Sequence, residues 1–261
     1  MPPETTSLVD DLVVTGVVPS SGKLILGDNQ DLLLEAALVV DLARAGRVTV
    51  TGAGVDTRVH VVDAQPVAHP VLREALAWLH ATTGPPGAQD LAELEAAGWV
   101  TRRVVGWIAD RQGSGATLSG AFQGFKARDR VRAHLLSTGT LVARDRRVLG
   151  MRLLRRYRVH PPERREDLVV DLREVLLGER EPDQRTGPLL GLLGVANLFA
   201  SSLNGAAHLA RWAPRPRREE ASERAHQLAR TDGDVDGVRA VIEAVEVIID
   251  ERNEKRANSG S

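Results

Sequence analysis

Between Lys126 and Arg158, eleven basic residues (Lys126, Arg128, Arg130, Arg132, Arg144, Arg146, Arg147, Arg152, Arg155, Arg156 and Arg158) face only Asp129 and Asp145, a net charge of +9 in 33 residues. Guanidinium groups pair with phosphate oxygens in a forked geometry and are less strongly hydrated than ammonium. The chemistry this implies is phosphate binding, on a lipid headgroup or a nucleic-acid backbone. The plainer account is a solvated face answered by acids elsewhere in the chain. Val148, Leu149, Met151, Leu153 and Leu154 are interleaved with these arginines. Apolar groups at a hairpin tip would add about 1.5 to 3 kcal/mol each if fully buried between headgroups. The competing expectation is that they pack inward.

Other chemistry is weaker. The segment 232–243, DGDVDGVRAVIE, has the acidic residues, Gly237 and Glu243 of a calcium loop. Yet Arg239 occupies its usual apolar position, and the helical spacing of Val238, Val241, Ile242 and Val245 begins inside it, so the aspartates read as a helix start. The seven histidines form no HExxH pair, no GxSxG elbow is present, and Gly16 to Gly22 misses the glycine spacing of a phosphate loop. Zero cysteines exclude disulfides, thiolate zinc sites and cysteine nucleophiles. Asp10, Asp11, Glu35 and Asp41 could be assembled into an acidic site, but carboxylates this common in helices are usually solvated or capping. The reading is a non-enzyme with no cofactor and no metal.

Net charge is −1, so an electrostatic partner must be met by the local patch and not by the chain as a whole. Arginine supplies 31 of the 34 Lys and Arg residues, which reads as the codon bias of a GC-rich bacterial genome. With 43% apolar and 26% charged residues, a chain of 261 residues can bury a sizeable core. The opening MPPETTS is not a signal peptide, and no run nears the roughly 18 apolar residues of a bilayer span. A cytoplasmic protein is expected.

The elements that must carry the patch follow from periodicity. A helix over 7–18 ends at the turn Pro19-Ser20-Ser21-Gly22. A second runs from Asp31, as cap, to Ala45, with Gly46 ending it. Two strands pair about Gly52 and Gly54, and Pro70 opens another helix. The segment 82–90 breaks the chain, a helical stretch holds Val104 to Ile108, and GSGATLSG (113–120) is a loop. The basic helix runs from about Gln123 to Ser137, and 141–159 forms two strands joined near Asp145 or Gly150. Helices over 166–178 and 186–203 follow, the second apolar nearly all round and so central. Residues 213–224 read as a linker or irregular helix start, and a last helix spans Asp236 to Arg252. The fold class is mainly α: a single helical-bundle domain with short β-hairpins over 7–252, between a disordered N-terminus (1–6) and a disordered tail (253–261).

The order of these segments resembles the Golgi phosphoprotein 3 family from about Leu8 to Ile249. LARAGRVTV (42–50), PVAHPVLREALAWL (66–79), VRAHLLSTGTL (131–141) and RTGPLLGLLGVANLF (185–199) carry the resemblance. It implies a peripheral protein on the inner face of the membrane that binds anionic phospholipid, with phosphatidylinositol 4-phosphate in a basic pocket beside an apolar hairpin. Protein client tails, as in eukaryotic members, and a homo-oligomer through the hairpin are further partners it suggests. Headgroup contacts fall to Lys126, Arg128, Arg130 and Arg132; membrane contacts fall to Arg146, Arg147, Val148, Leu149, Met151 and Leu153. Leu26 stands where the family's pocket has tryptophan, and Glu35 where it has arginine; a glutamate opposing a phosphate is repulsive, so these two positions depart from the pocket that selects the 4-phosphate, while the expectation of anionic-lipid binding rests on the basic residues. The other reading, a winged-helix DNA-binding module, uses the same helix and hairpin on DNA phosphates, but little on that helix could read base edges, which leaves nucleic acid the lesser partner.

Overall fold

A computed structural model of the chain describes residues 7–24, 26, 29–83, 116–148, 151–196, 217–231 and 237–259. It is mainly α with short antiparallel strands, as the periodicity predicts. The single domain expected over 7–252 is built as two compact units, each from two stretches of chain: 1–33 with 128–232, and 34–127 with 233–261.

In the first unit, α1 (Leu8–Gly16) is buried along its whole length and is capped by Ser7, whose Oγ accepts from Asp10 N at 3.3 Å. The following turn closes through Gly22 N to Val18 O (2.7 Å) and Val18 N to Lys23 O (2.8 Å), with Val17 bridged to Leu24. Helix α2 (Gln30–Arg44) then belongs to both units. Its first N–H bond runs from Leu33 to the Asn29 carbonyl, so Asn29 and not Asp31 holds the cap position, and Asp31 lies in the first turn. At the far end Gly46, at φ 67°, donates to Ala43 O while Arg47 donates to Leu42 O, the paired bonds of a left-handed helix stop.

The second unit places β1 (Val48–Thr51), β2 (Arg58–Val61) and later β3 (Ala116–Thr117) in one antiparallel sheet, in that order. The third strand lies in the segment expected to be loop; Ala116 pairs with Val59 and Thr117 with Arg58. Two residues are too few for periodicity to reveal a strand. Helix α3 (Pro70–Thr83) begins at the proline as expected. Short helix α4 (Leu118–Ala121) follows β3 and accepts, at the Ala121 carbonyl, the Trp78 Nε1–H at 2.9 Å.

The basic helix α5 (Ala127–Ser137) starts later than the expected Gln123. Gly124 at φ 90° and Lys126 at φ 56° break the run, and Phe122 and Phe125 turn into the core instead of lining a helix. Their rings stand 5.4 Å apart, with Trp78 5.8 Å from Phe125. Strands β4 (Leu141–Val148) and β5 (Met151–Val159) form the expected hairpin, pairing antiparallel from Leu141 opposite Val159 to Val148 opposite Met151, so both strands run past Asp145.

Helix α6 (Pro162–Leu176) begins before the expected 166 because Pro162 suits a first-turn position. Helix α7 (Thr186–Val195) is buried on every side, the central helix of its unit. The expected continuation to 203 runs from 197 outside the described residues, as do the helix about Val104 to Ile108 and residues 84–90 of the break expected over 82–90, whose first two residues end α3. Helix α8 (Arg218–Thr231) is well formed where a linker or irregular start was expected. Its charged sequence conceals three buried contacts, Ala221, Ala225 and Leu228. Gly194 lets α7 and α8 approach: a Cβ there would lie 2.9 Å from the Ala225 carbonyl carbon. Arg224 and Arg217 of the α8 end donate to the carbonyls of Val175 (2.8 Å) and Leu177 (2.8 Å), satisfying the open end of α6.

Helix α9 (Val238–Ser259) packs on β1 and the turn Gly54–Asp56, and it continues past the expected end at Arg252; residues 253–259 are helical, and exposed through Asn258. Of the calcium-loop segment, 232–236 and the side chains there lie outside the described residues. From Val238 onward it is helix, with Glu243 taken by Arg239 at 2.7 Å.

Candidate anion-binding surface

Helix α5 buries Ala127, Val131 and Leu135 and turns its polar residues outward. At 3.6 residues per turn, Arg128 and Arg132 share one flank, while Arg130 and His134 share the other. Arg132 donates to Asp129 at 2.6 Å. Arg128 Nε lies 3.9 Å from Asp31 and 4.0 Å from Asp129, with its side chain 48% exposed. Part of the helix charge is therefore answered locally, by an aspartate from α2 as well as the neighbour in sequence. Exposed pairs of this kind contribute little and can be exchanged for a phosphate. On the other flank, His134 Nε2 stands 3.9 Å from the buried Asp10. Lys126 precedes the helix and is exposed.

The hairpin separates its residues by face. Leu141, Tyr157 and Val159 are buried, whereas Val142, Arg144 and Arg158 are exposed and Arg156 is half-buried. Register sets Val142 opposite Arg158 and Arg144 directly opposite Arg156. Like charges facing across a rung oppose pairing. Nearer the turn a register shift between Arg146 and Arg147 marks a bulge, beyond which Arg147 stands opposite Arg152. Arg146, Arg147, Val148, Met151 and Leu153 lie on the two strands by their backbone; their side chains, with all of Leu149, lie outside the described residues.

Leu26, at the position of the family's pocket tryptophan, is fully buried, and a Cβ on Gly16 would meet its side chain at 2.6 Å. It is core. Glu35, on α2, is half-buried.

Asp10 and Asp11 are not solvated, contrary to expectation. Asp11 is fully buried and holds Arg185 through two bonds, Nε to Oδ2 at 2.6 Å and Nη2 to Oδ1 at 3.1 Å. Burial pushes the Asp11 carboxyl above its ordinary range, with the Arg185 hydrogen bonds acting against that rise. Arg185 sits at the start of α7, where Asp183 accepts from Thr186 N (2.7 Å) and Arg185 N (2.9 Å). The sequence signal for this pair is the aspartates inside the apolar run of α1, which require a partner once buried.

Within the first unit, a short basic helix is followed by an arginine-bearing antiparallel hairpin, in a mainly helical protein. Residues 8–246 match the family model described as Golgi phosphoprotein 3 (GPP34), and the chain belongs to that family. No curated protein matches the chain. Among the described residues, no helix is long and apolar enough to cross a membrane.

Proposed function

We propose that this chain is a peripheral membrane protein that binds anionic phospholipid through α5 and the β4–β5 hairpin. The observation that carries the reading is the rung that sets Arg144 opposite Arg156, beside exposed Arg158 and Val142. Such a rung opposes strand pairing by itself and is relieved by an anion that bridges both guanidinium groups. Family membership supports lipid as the source of that anion. Headgroups of the phosphatidylinositol 4-phosphate kind are the candidate ligands, met by Arg128, Arg130 and Arg132, with Lys126 adjacent in sequence. The turn of the hairpin, Arg146 to Leu153, is the proposed membrane contact, and the inner membrane face in the cytoplasm is the proposed location. No catalytic role is proposed.

The test is flotation of the full chain with neutral, phosphatidylinositol, phosphoinositide and cardiolipin liposomes, beside a salt-titrated DNA-binding assay. Binding to the anionic liposomes with little affinity for DNA is expected. Tight, steeply salt-dependent DNA binding without liposome binding would replace this reading with the winged-helix one.

A further inference from the structure

The β4–β5 hairpin has two outer edges, and only one of them is closed. One step beyond the rung of Leu141 with Val159, His160 N donates to Thr140 O at 2.9 Å. Bonded and non-bonded rungs alternate along an antiparallel ladder, so Val142 with Arg158 and Arg144 with Arg156 exchange their main-chain bonds within the hairpin. On the rungs between, Leu141 with Val159 and Ala143 with Tyr157, the N–H and C=O groups point away from the partner strand. Tyr157 has that phase, since its N–H donates outward to Gly22 O at 2.6 Å.

The loop Val17–Leu24 therefore closes the β5 edge. It is pinned by its own internal bonds, by the Val17–Leu24 bridge and by Arg165, whose Nε donates to the Val17 carbonyl at 3.1 Å. On the β4 side, among the described residues, the outward N–H and C=O of Leu141 and Ala143 meet no hydrogen-bond partner. Val142, Ala143 and Arg144 are exposed, so this edge is open to solvent. An exposed strand edge is a template on which another extended chain can pair.

Charge decides which chain fits. An added strand bonds to β4 at Leu141 and Ala143, and its residues beside Val142 and Arg144 then stand on the outward face, with Cβ atoms about 4.5 to 5.5 Å from theirs. That face carries exposed Arg144 and Arg158 with half-buried Arg156, whereas the opposite face holds buried Leu141, Tyr157 and Val159. A second copy of β4 is a poor match: the strand has three arginines against one aspartate, and like charge on an edge keeps copies apart. A segment alternating acidic and apolar residues sets its acids beside Arg144 and continues the apolar face. We propose that the outer edge of β4, from Leu141 to Arg144, takes up such an acidic, extended segment of a partner protein as an added antiparallel strand. The pairing needs no bilayer, so it stands or falls separately from the membrane reading, which draws on the same Arg144.

Titration of the full chain, without lipid, with a short labelled peptide alternating glutamate and valine tests the site. Two matched peptides accompany it: one with lysine in place of glutamate, and one N-methylated at its valines, which keeps its charge but loses the N–H groups that face β4. Saturable binding of the first is expected, with both counterparts weaker on the order of tenfold. Amide exchange at Leu141 and Ala143 should slow on binding, while Val142 and Arg144, already in the ladder, change little. Ala143→Pro removes an outward N–H and no ladder bond, so the hairpin tolerates it and peptide affinity should fall on the order of tenfold. Arg144→Glu leaves the edge intact and should weaken the acidic peptide similarly, so the test does not depend on one variant folding. Absence of binding, or equal binding of the N-methylated peptide, would overturn strand addition. Sedimentation of the unaltered chain should match that of Ala143→Pro; a dimer lost in that variant would give the edge to a second copy and equally overturn the proposal.

Discussion

Arg185 Nε lies 2.6 Å from the Oδ2 of Asp11, joining the start of α7 to the middle of α1 across 174 positions of sequence. The carboxylate is fully buried and the arginine 38% exposed, so the pair is closed on one side only. Arg185→Gln should destabilise the fold by about 3 kcal/mol at neutral pH, because it strands a buried charge. Without Arg185 the Asp11 carboxyl titrates higher still, so the native state binds more protons than the unfolded state between the ordinary and the raised value. Stability then falls as pH rises through that window. Chemical denaturation of the variant and the unaltered chain at about pH 4 and about pH 7.5 checks this: the destabilisation should shrink at the acid end.

Gly22 works at φ 65°, and a Cβ there would come within 2.8 Å of the Tyr157 carbonyl oxygen. Gly139 has φ 75° with nothing within 4 Å of the same position. Gly139→Ala should therefore cost about 1 kcal/mol, the left-handed backbone alone. Gly22→Ala adds a backbone collision and should cost about 2 kcal/mol or more. Melting temperatures of the two variants compared side by side separate the terms.

Trp78 is buried with its Nε1–H on the Ala121 carbonyl and its ring against Phe125. Trp78→Phe keeps most of the apolar contact but orphans that carbonyl, and a loss of about 1 to 3 kcal/mol is expected in equilibrium unfolding. An unchanged midpoint would mean that the hydrogen bond carries no weight.

The long periodic helices and the hairpins were legible because period and punctuation agree: Gly46 ends α2, Pro70 opens α3, and Gly52 and Gly54 lie between paired β1 and β2. Where they failed, tertiary contacts decided. Phe125 falls within the helix expected from Gln123, yet it packs against Trp78 and Phe122 in an irregular turn, and α5 starts only at Ala127. Charged α8 hides its thin buried stripe of Ala221, Ala225 and Leu228 under glutamates and arginines. At the surface, composition revealed the excess of arginine but not its division: helical geometry sends Arg128 and Arg130 to different flanks, and Asp31, distant in sequence, comes within 3.9 Å of Arg128. The pair Asp11–Arg185 and the loop contacts of Arg165 depend on long-range closure that local pattern does not encode.

The turn of the hairpin separates lipid insertion from a purely electrostatic contact. Leu149→Ser with Met151→Ser should weaken liposome binding even at high salt, where the arginines are screened, and leave any DNA affinity nearly unchanged. A fall in thermal stability would instead mean that the pair packs inward. A stable variant with full liposome binding at both salt levels would remove insertion from the mechanism.

The most direct measurement is flotation of the Arg128→Glu, Arg130→Glu double variant with phosphatidylcholine liposomes carrying anionic lipid, read beside its melting temperature. The two substitutions reverse the charge on both flanks of α5 while leaving Val131 and Leu135 in the core. Membrane binding through this helix predicts a loss on the order of tenfold in liposome affinity at moderate salt, with a melting temperature close to that of the unaltered chain. A folded double variant that floats as well as the unaltered chain would contradict it.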